Sequence, residues 1–123
     1  ILGLTFKPET DDLRSSPALD AIEILLEKGV KISTFDPIIK SKKDLIKLPA
    51  GCNVYFRIED ALKDSDIAMV FTKWPEFKSL DSKFLKQFMK NPVIIDGRGF
   101  LDKEKFDNGS YFKIGYSENK SKN

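Results

Sequence analysis

The chain has 123 residues, of which 41% are hydrophobic and 33% charged, with a formal net charge of +2. This length suits one domain that buries a core, the small net charge argues against a nucleic-acid surface, and no apolar run approaches the roughly 20 residues of a membrane span. One cysteine and no histidine exclude an internal disulfide, and with them a zinc site and a Ser/His or Cys/His nucleophilic pair.

The first strand and helix are the clearest elements of the sequence. Residues 1–5 predict a short buried strand, and Ser16 followed by Pro17 predicts the start of a helix. One apolar stripe at helical spacing follows, made of Ala18, Ala21, Ile22, Leu25 and Leu26. Gly29 predicts the end of this helix as a left-handed cap.

The rest of the chain alternates between short apolar runs and helical patterns. Strands are predicted at 30–35, 54–56, 67–71, 93–95 and 111–116, and helices at 58–63 and after Asp81. A strand, a helix and a second strand joined by tight turns form a βαβ unit, which requires parallel pairing. The sequence therefore predicts an α/β fold, a Rossmann-like three-layer sandwich with a mainly parallel sheet of about six strands.

Three loops are expected to meet at the carboxyl edge of this sheet, where open α/β sheets bind ligands. Their polar residues are Lys7, Asp11, Asp12 and Arg14 in the first loop, Thr72, Lys73 and Trp74 in the second, and Asp96 and Arg98 in the third. Lysine, arginine and an indole donor suit a diphosphate, whose oxygens match a guanidinium fork. Gly97 and Gly99 flank Arg98 and would let the backbone approach a ligand closely.

Several of these residues also have a plain structural explanation. Asp11 and Asp12 suit a loop before a helix, Arg14 could merely bridge them, and Lys7 could be a solvated lysine. Trp74 before Pro75 is more often a packing lid than a ligand contact.

A dinucleotide site of the usual kind is missing. The first strand is not followed by G-x-G-x-x-G, because Gly3 is followed by Thr5-Phe6-Lys7. Asp36, at the end of the second strand, could hold a ribose, although an Asp-Pro turn is the simpler interpretation.

The run GLTFKPETDDLRSSP from Gly3 to Pro17 resembles the start of the carboxyl-terminal domain of the UDP-glucose/GDP-mannose dehydrogenase family. The resemblance continues through the Gly29 turn and through the runs that begin at Phe35, Asp66, Phe71 and Ile95, and it covers residues 1–116. Residues 117–123 are then a polar tail. The spelling of the first run is nearer to UDP-glucose members of the family than to GDP-mannose members.

The resemblance implies a nucleotide-sugar-binding domain of an enzyme that oxidises the sugar twice with NAD. It implies that Lys7 and Arg98 bind the nucleotide sugar and that Arg14 reaches the NAD cofactor. It places the catalytic Cys upstream, so this chain would hold no catalytic residue and no metal, and Cys52 does not match that Cys. The chain starts inside a strand, so we expect a cytoplasmic fragment that is inactive alone.

The partners implied are a UDP-sugar and the protein's own amino-terminal and central domains, with the full-length protein a homodimer and with no nucleic acid or membrane bound. Three alternatives remain open at this point. The substrate could be UDP-N-acetyl-mannosamine or GDP-mannose, the chain could be a stand-alone nucleotide-binding module, or it could be a receiver-like regulatory α/β module.

Overall fold

A computed structural model describes residues 1–5, 16–40 and 48–114. The helices and strands within these residues alternate along the chain. They are α1 (Pro17–Glu27), β1 (Ile32–Thr34), β2 (Cys52–Val54), α2 (Ile58–Leu62), β3 (Ala68–Val70), α3 (Ser82–Phe88), β4 (Ile94–Asp96) and β5 (Tyr111–Lys113), with short 3₁₀ helices at Pro75–Ser79 and Lys103–Lys105.

The two longer helices begin where the sequence predicts. The Ser16 hydroxyl accepts a hydrogen bond from Ala18 N at 3.2 Å, and Pro17 occupies the first turn of α1. Gly29 has a φ of 79°, the left-handed conformation of a helix cap. At α3 the Asp81 carboxylate accepts a hydrogen bond from Phe84 N at 2.7 Å. Side-chain caps of this kind satisfy amides that the first helical turn leaves unpaired.

All strand pairs within the described residues are parallel. β1 pairs with β2, and β3, β4 and β5 form a second group in that order. The first segment, residues 1–5, joins the two groups, because Leu2 forms parallel bridges to both Phe35 and Val70. Leu2 N donates to Met69 O at 2.7 Å, and Gly3 N donates to Phe35 O at 2.8 Å.

The predicted count of about six strands is thus met by five strands and this bridging segment, in which only Leu2 pairs. Counted in chain order with the first segment as one, the sheet order is 3-2-1-4-5-6, the order of dinucleotide-binding Rossmann sheets. Receiver-type sheets have the order 2-1-3-4-5. The strand order therefore argues against the receiver-like alternative.

The strands are shorter than predicted, and one is displaced. The third predicted strand, at 54–56, lies instead at Cys52–Val54, and Phe56 is exposed. The second starts at Ile32 rather than at residue 30, because Val30 belongs to the exposed connection after α1. The end of the last predicted strand, residues 115–116, and the tail at 117–123 lie outside the described residues.

Two hydrophobic clusters lie on opposite faces of the sheet. The larger packs α2, α3 and the 3₁₀ helix Pro75–Ser79 against β3 and β4, and its fully buried members include Phe77, Leu85 and Ile94. The smaller packs α1 against the first segment and β1 through Leu4 and Ile22. The predicted three-layer α/β architecture is confirmed.

Candidate functional site at the carboxyl edge of the sheet

The first segment and the end of β3 cross in close contact at the centre of the carboxyl edge. Gly3 has a φ of 92°, and a Cβ at this position would lie 2.7 Å from the backbone N of Thr72. The buried Thr72 hydroxyl donates to Thr5 O at 2.7 Å. Chain connections diverge to either side of this point, which is where open α/β sheets form ligand crevices.

A buried carboxylate organises the turn after β4. Asp96 is fully buried, and its Oδ1 accepts a hydrogen bond from Arg98 N at 3.1 Å. Its Oδ2 accepts from Phe100 N, Leu101 N and the Tyr111 hydroxyl, each at 2.7 Å. With four donors around it, Asp96 stabilises the loop and is not available as a ligand contact.

Arg98 is the cation that this turn presents. Its side chain is half-buried, and Nη1 donates to Phe71 O at 3.3 Å. Within the described part of the chain, its guanidinium pairs with no carboxylate. A guanidinium has five donors, so most of them stay available for an anion.

Gly97 brings this loop against the end of β3. Its N donates to Val70 O at 2.9 Å, and a Cβ on Gly97 would lie 2.8 Å from the same oxygen. The sequence indicated a close backbone approach around Arg98. The approach is made to β3, whose carbonyl at Phe71 then holds the guanidinium. No sequence signal marks a backbone acceptor of this kind.

The turn after β1 has the same construction without a cation. Asp36 is fully buried, and its Oδ2 accepts hydrogen bonds from Leu4 N at 2.7 Å and Thr5 N at 3.2 Å. Its Oδ1 accepts from Ile38 N at 3.0 Å. The carboxylate is thus occupied by backbone donors. The turn interpretation is confirmed, and the ribose role considered for Asp36 is wrong.

The remaining predicted residues divide into two groups. Lys7, Asp11, Asp12 and Arg14 lie outside the described residues, so their approach to Arg98 stays a prediction. In the described loop after β3, Lys73 is exposed and Trp74 is buried in the larger cluster. Trp74 Nε1 has no hydrogen-bond partner there. The packing interpretation of Trp74 is therefore the correct one.

Cys52 lies in β2, away from this loop system. Its thiol donates to Pro49 O at 3.2 Å, and burial raises its pKa. A raised pKa lowers the thiolate population near neutral pH, so the environment of Cys52 is the opposite of what a nucleophile needs. Across residues 1–5, 16–40 and 48–114, no group of three Cys, Asp or Glu side chains is placed to hold a metal ion.

Arg57, the other arginine in the described residues, provides a contrast with Arg98. Its guanidinium lies 3.5 Å from the Glu59 carboxylate, and its side chain is 68% exposed. The pKa of Glu59 is lowered by a backbone hydrogen bond, with a smaller contribution from Arg57. Arg57 is thus a solvated, paired arginine.

A family comparison decides what this arrangement belongs to. The UDP-glucose/GDP-mannose dehydrogenase family, UDP binding domain, matches residues 1–103. The chain belongs to this family. The resemblance seen in the sequence is confirmed, and membership favours a dehydrogenase domain over a stand-alone or receiver-like module.

Curated relatives of the family carry consistent names. The chain is 38% identical over 111 residues to UDP-glucose 6-dehydrogenase TuaD of Bacillus subtilis, covering 90% of this chain and 24% of the relative. It is 44% identical over 107 residues to UDP-glucose 6-dehydrogenase of Rickettsia prowazekii, covering 85% and 24%. The chain therefore spans about a quarter of the length of these relatives.

Solved structures of the family share the fold. A UDP-glucose dehydrogenase from Pyrobaculum islandicum aligns with a TM-score of 0.73 at 26% identity, covering 94% of this chain and 24% of that one. A UDP-D-ManNAc dehydrogenase from Pyrococcus horikoshii aligns with a TM-score of 0.71 at 29% identity, covering 92% and 24%. None of the helices in the described residues is long and apolar enough to cross a membrane.

Proposed function

We propose that this chain is the nucleotide-sugar-binding domain of an NAD-dependent UDP-glucose 6-dehydrogenase, which converts UDP-glucose to UDP-glucuronate by two hydride transfers. Family membership and the names of the relatives support the proposal. The structural observation that carries it is Arg98, a half-buried guanidinium at the carboxyl edge that pairs with no described carboxylate.

The geometry around Arg98 suits recognition of a diphosphate. The backbone of the loop is fixed by Asp96, and the side chain is directed by Phe71 O, so little conformational entropy is lost on binding. A partly desolvated guanidinium binds phosphate oxygens through charge-assisted hydrogen bonds. Binding energy from the nucleotide would then position the sugar for hydride transfer elsewhere in the enzyme.

Substitution of Arg98 in the complete dehydrogenase tests this role. Arg98→Ala should weaken UDP-glucose binding by about 1.5–3 kcal/mol, the usual contribution of a charged hydrogen bond, and so raise KM. Arg98→Lys should recover only part of the loss, because lysine lacks the planar fork. Arg57→Ala removes an exposed, ion-paired arginine and is the matched control. An unchanged KM in Arg98→Ala would remove Arg98 from the site.

Lys7 is proposed as a second substrate-binding cation and Arg14 as a contact to NAD, with the cofactor bound mainly by another domain. Lys7→Ala should raise KM for UDP-glucose, and Arg14→Ala should raise KM for NAD. We also propose that the protein works in the cytoplasm as a homodimer containing amino-terminal and central domains. The catalytic Cys is proposed to lie outside this chain, so the isolated chain should reduce no NAD.

The identity of the sugar is a separate question. UDP-glucose is favoured because the curated relatives at 38% and 44% identity bear that name. UDP-N-acetyl-mannosamine is the second candidate, because a solved structure named for that activity is 29% identical. Rates of NAD reduction with the two nucleotide sugars would distinguish them.

A further inference from the structure

One half of one sheet face has no covering layer in the described structure. Met69, Ile95 and Phe112 are paired across β3, β4 and β5, so their side chains form a row on one face. Ile67 and Ile114 extend this row along the outer strands, and we call these five residues the open face. None of the five belongs to either hydrophobic cluster.

The exposure of the open face is unusual for a parallel sheet. Ile67 is 50% exposed, Phe112 51% and Ile114 50%, which makes them half of the six large hydrophobic residues that are exposed within the described residues. Sheets of parallel strands occur almost only with both faces covered. The face behind these strands is covered by α2 and α3, whereas α1 covers only the neighbouring half, as far as Phe71.

The dimensions of the open face match one helix. Neighbouring strands lie about 4.8 Å apart, so three strands present a surface roughly 10–15 Å wide, and a helix with its side chains is about 10–12 Å across. A cavity of about 370 Å³ marks the groove beside α1, and its lining includes Pro17, Ile95 and Arg98. The groove is therefore continuous with the candidate binding site.

We propose that the open face is the docking surface for an apolar helix from the remainder of the same dehydrogenase polypeptide. This rests on the proposed function. The chain spans about 24% of its curated relatives, so roughly three quarters of a relative's length is available to supply the helix. Residues 115–123, which follow Ile114 directly, contain no aliphatic side chain and cannot supply an apolar stripe. The docked helix completes the third layer and approaches Arg98 from the side.

Photo-cross-linking in the full-length dehydrogenase tests the proposal. The photoreactive residue p-benzoylphenylalanine is placed at Phe112 and, as the matched control, at Lys113, whose side chain points to the opposite face. The expected product from position 112 has the mass of one chain and joins it to a peptide outside residues 1–123. Position 113 should not label that peptide.

The other outcomes overturn the proposal. A product with the mass of two chains would show that a second copy covers the face, and a link confined to residues 1–123 would show that the chain covers itself. No product would show an uncovered face. Cross-linking needs neither substrate nor NAD, so an unchanged KM in Arg98→Ala would remove the proposed site and leave this result standing.

A thermal measurement gives an independent readout. Phe112→Glu should lower the melting temperature of the full-length protein by several degrees, because it places a charge in the buried contact. Lys113→Gln should change it little. An unchanged melting temperature for Phe112→Glu would contradict the docking surface.

Discussion

The turns after β1 and β4 use the same device for different ends. In each, a fully buried aspartate accepts hydrogen bonds from backbone amides at the carboxyl edge of the sheet. Asp36 ties its turn back to the first segment through Leu4 N and Thr5 N. Asp96 ties its turn forward and presents Arg98, whose guanidinium stays without a described carboxylate partner. A buried carboxylate thus builds the edge in both turns, but only one turn offers a cation to a ligand.

The largest expected effect comes from replacing either aspartate by asparagine. An amide has one acceptor oxygen, so its NH₂ group must face a backbone N–H wherever it is placed. Asp36→Asn and Asp96→Asn should each lower the free energy of unfolding by about 2–4 kcal/mol, measured by urea denaturation.

The two variants should differ in binding. In the complete dehydrogenase only Asp96→Asn should also raise KM for UDP-glucose, because only that turn positions Arg98. An equal effect of Asp36→Asn on KM would refute the division of roles between the two turns.

A second change breaks the support of the Asp96 turn from below. Gly97→Ala places a Cβ 2.8 Å from Val70 O, so the loop must shift. The expected loss in unfolding free energy is about 1–3 kcal/mol, and the shift should raise KM for UDP-glucose. Gly109→Ala is the control, since nothing lies within 4 Å of its Cβ and only its φ of 80° adds strain. If both variants bind substrate equally well, Gly97 has no positioning role.

A smaller change sharpens the comparison, because Asp96 has a donor from a neighbouring strand. Tyr111→Phe removes the hydroxyl that donates to Asp96 Oδ2 at 2.7 Å. It should lower the free energy of unfolding by about 1 kcal/mol. Combined with Asp96→Asn, the two effects should not add, because the residues share one hydrogen bond. Strict additivity in urea denaturation would mean that the bond contributes nothing.

The smallest effect concerns Cys52, on the side of the sheet that carries Asp36. Burial raises the pKa of its thiol above the ordinary value near 9. The neutral thiol is therefore favoured in the fold, and the stability it contributes is present below pH 9 and lost as the pH rises above it. Urea denaturation from pH 8 to 10 should show a decline that Cys52→Ala reduces. An identical decline in that variant would exclude the thiol as its source.

How much the sequence predicts depends on the range of the interactions. The helix starts at Ser16 and Asp81, the cap at Gly29 and the Asp36 turn all depend on neighbours a few residues away, and all four are confirmed. Strand ends were less predictable: the third strand ends at Val54 rather than at Phe56, because pairing across the sheet, and not local propensity, sets its register.

The sequence by itself determined the α/β class, the parallel pairing and the family motif, since periodicity, caps and turn residues are local and are written in residue order. Only the tertiary structure decided that Asp36 is closed to ligands, that Arg98 rests on Phe71 O and that one sheet face is open. These features depend on backbone carbonyls and amides that meet across long stretches of chain. Every residue carries such groups, so no residue type announces where they meet.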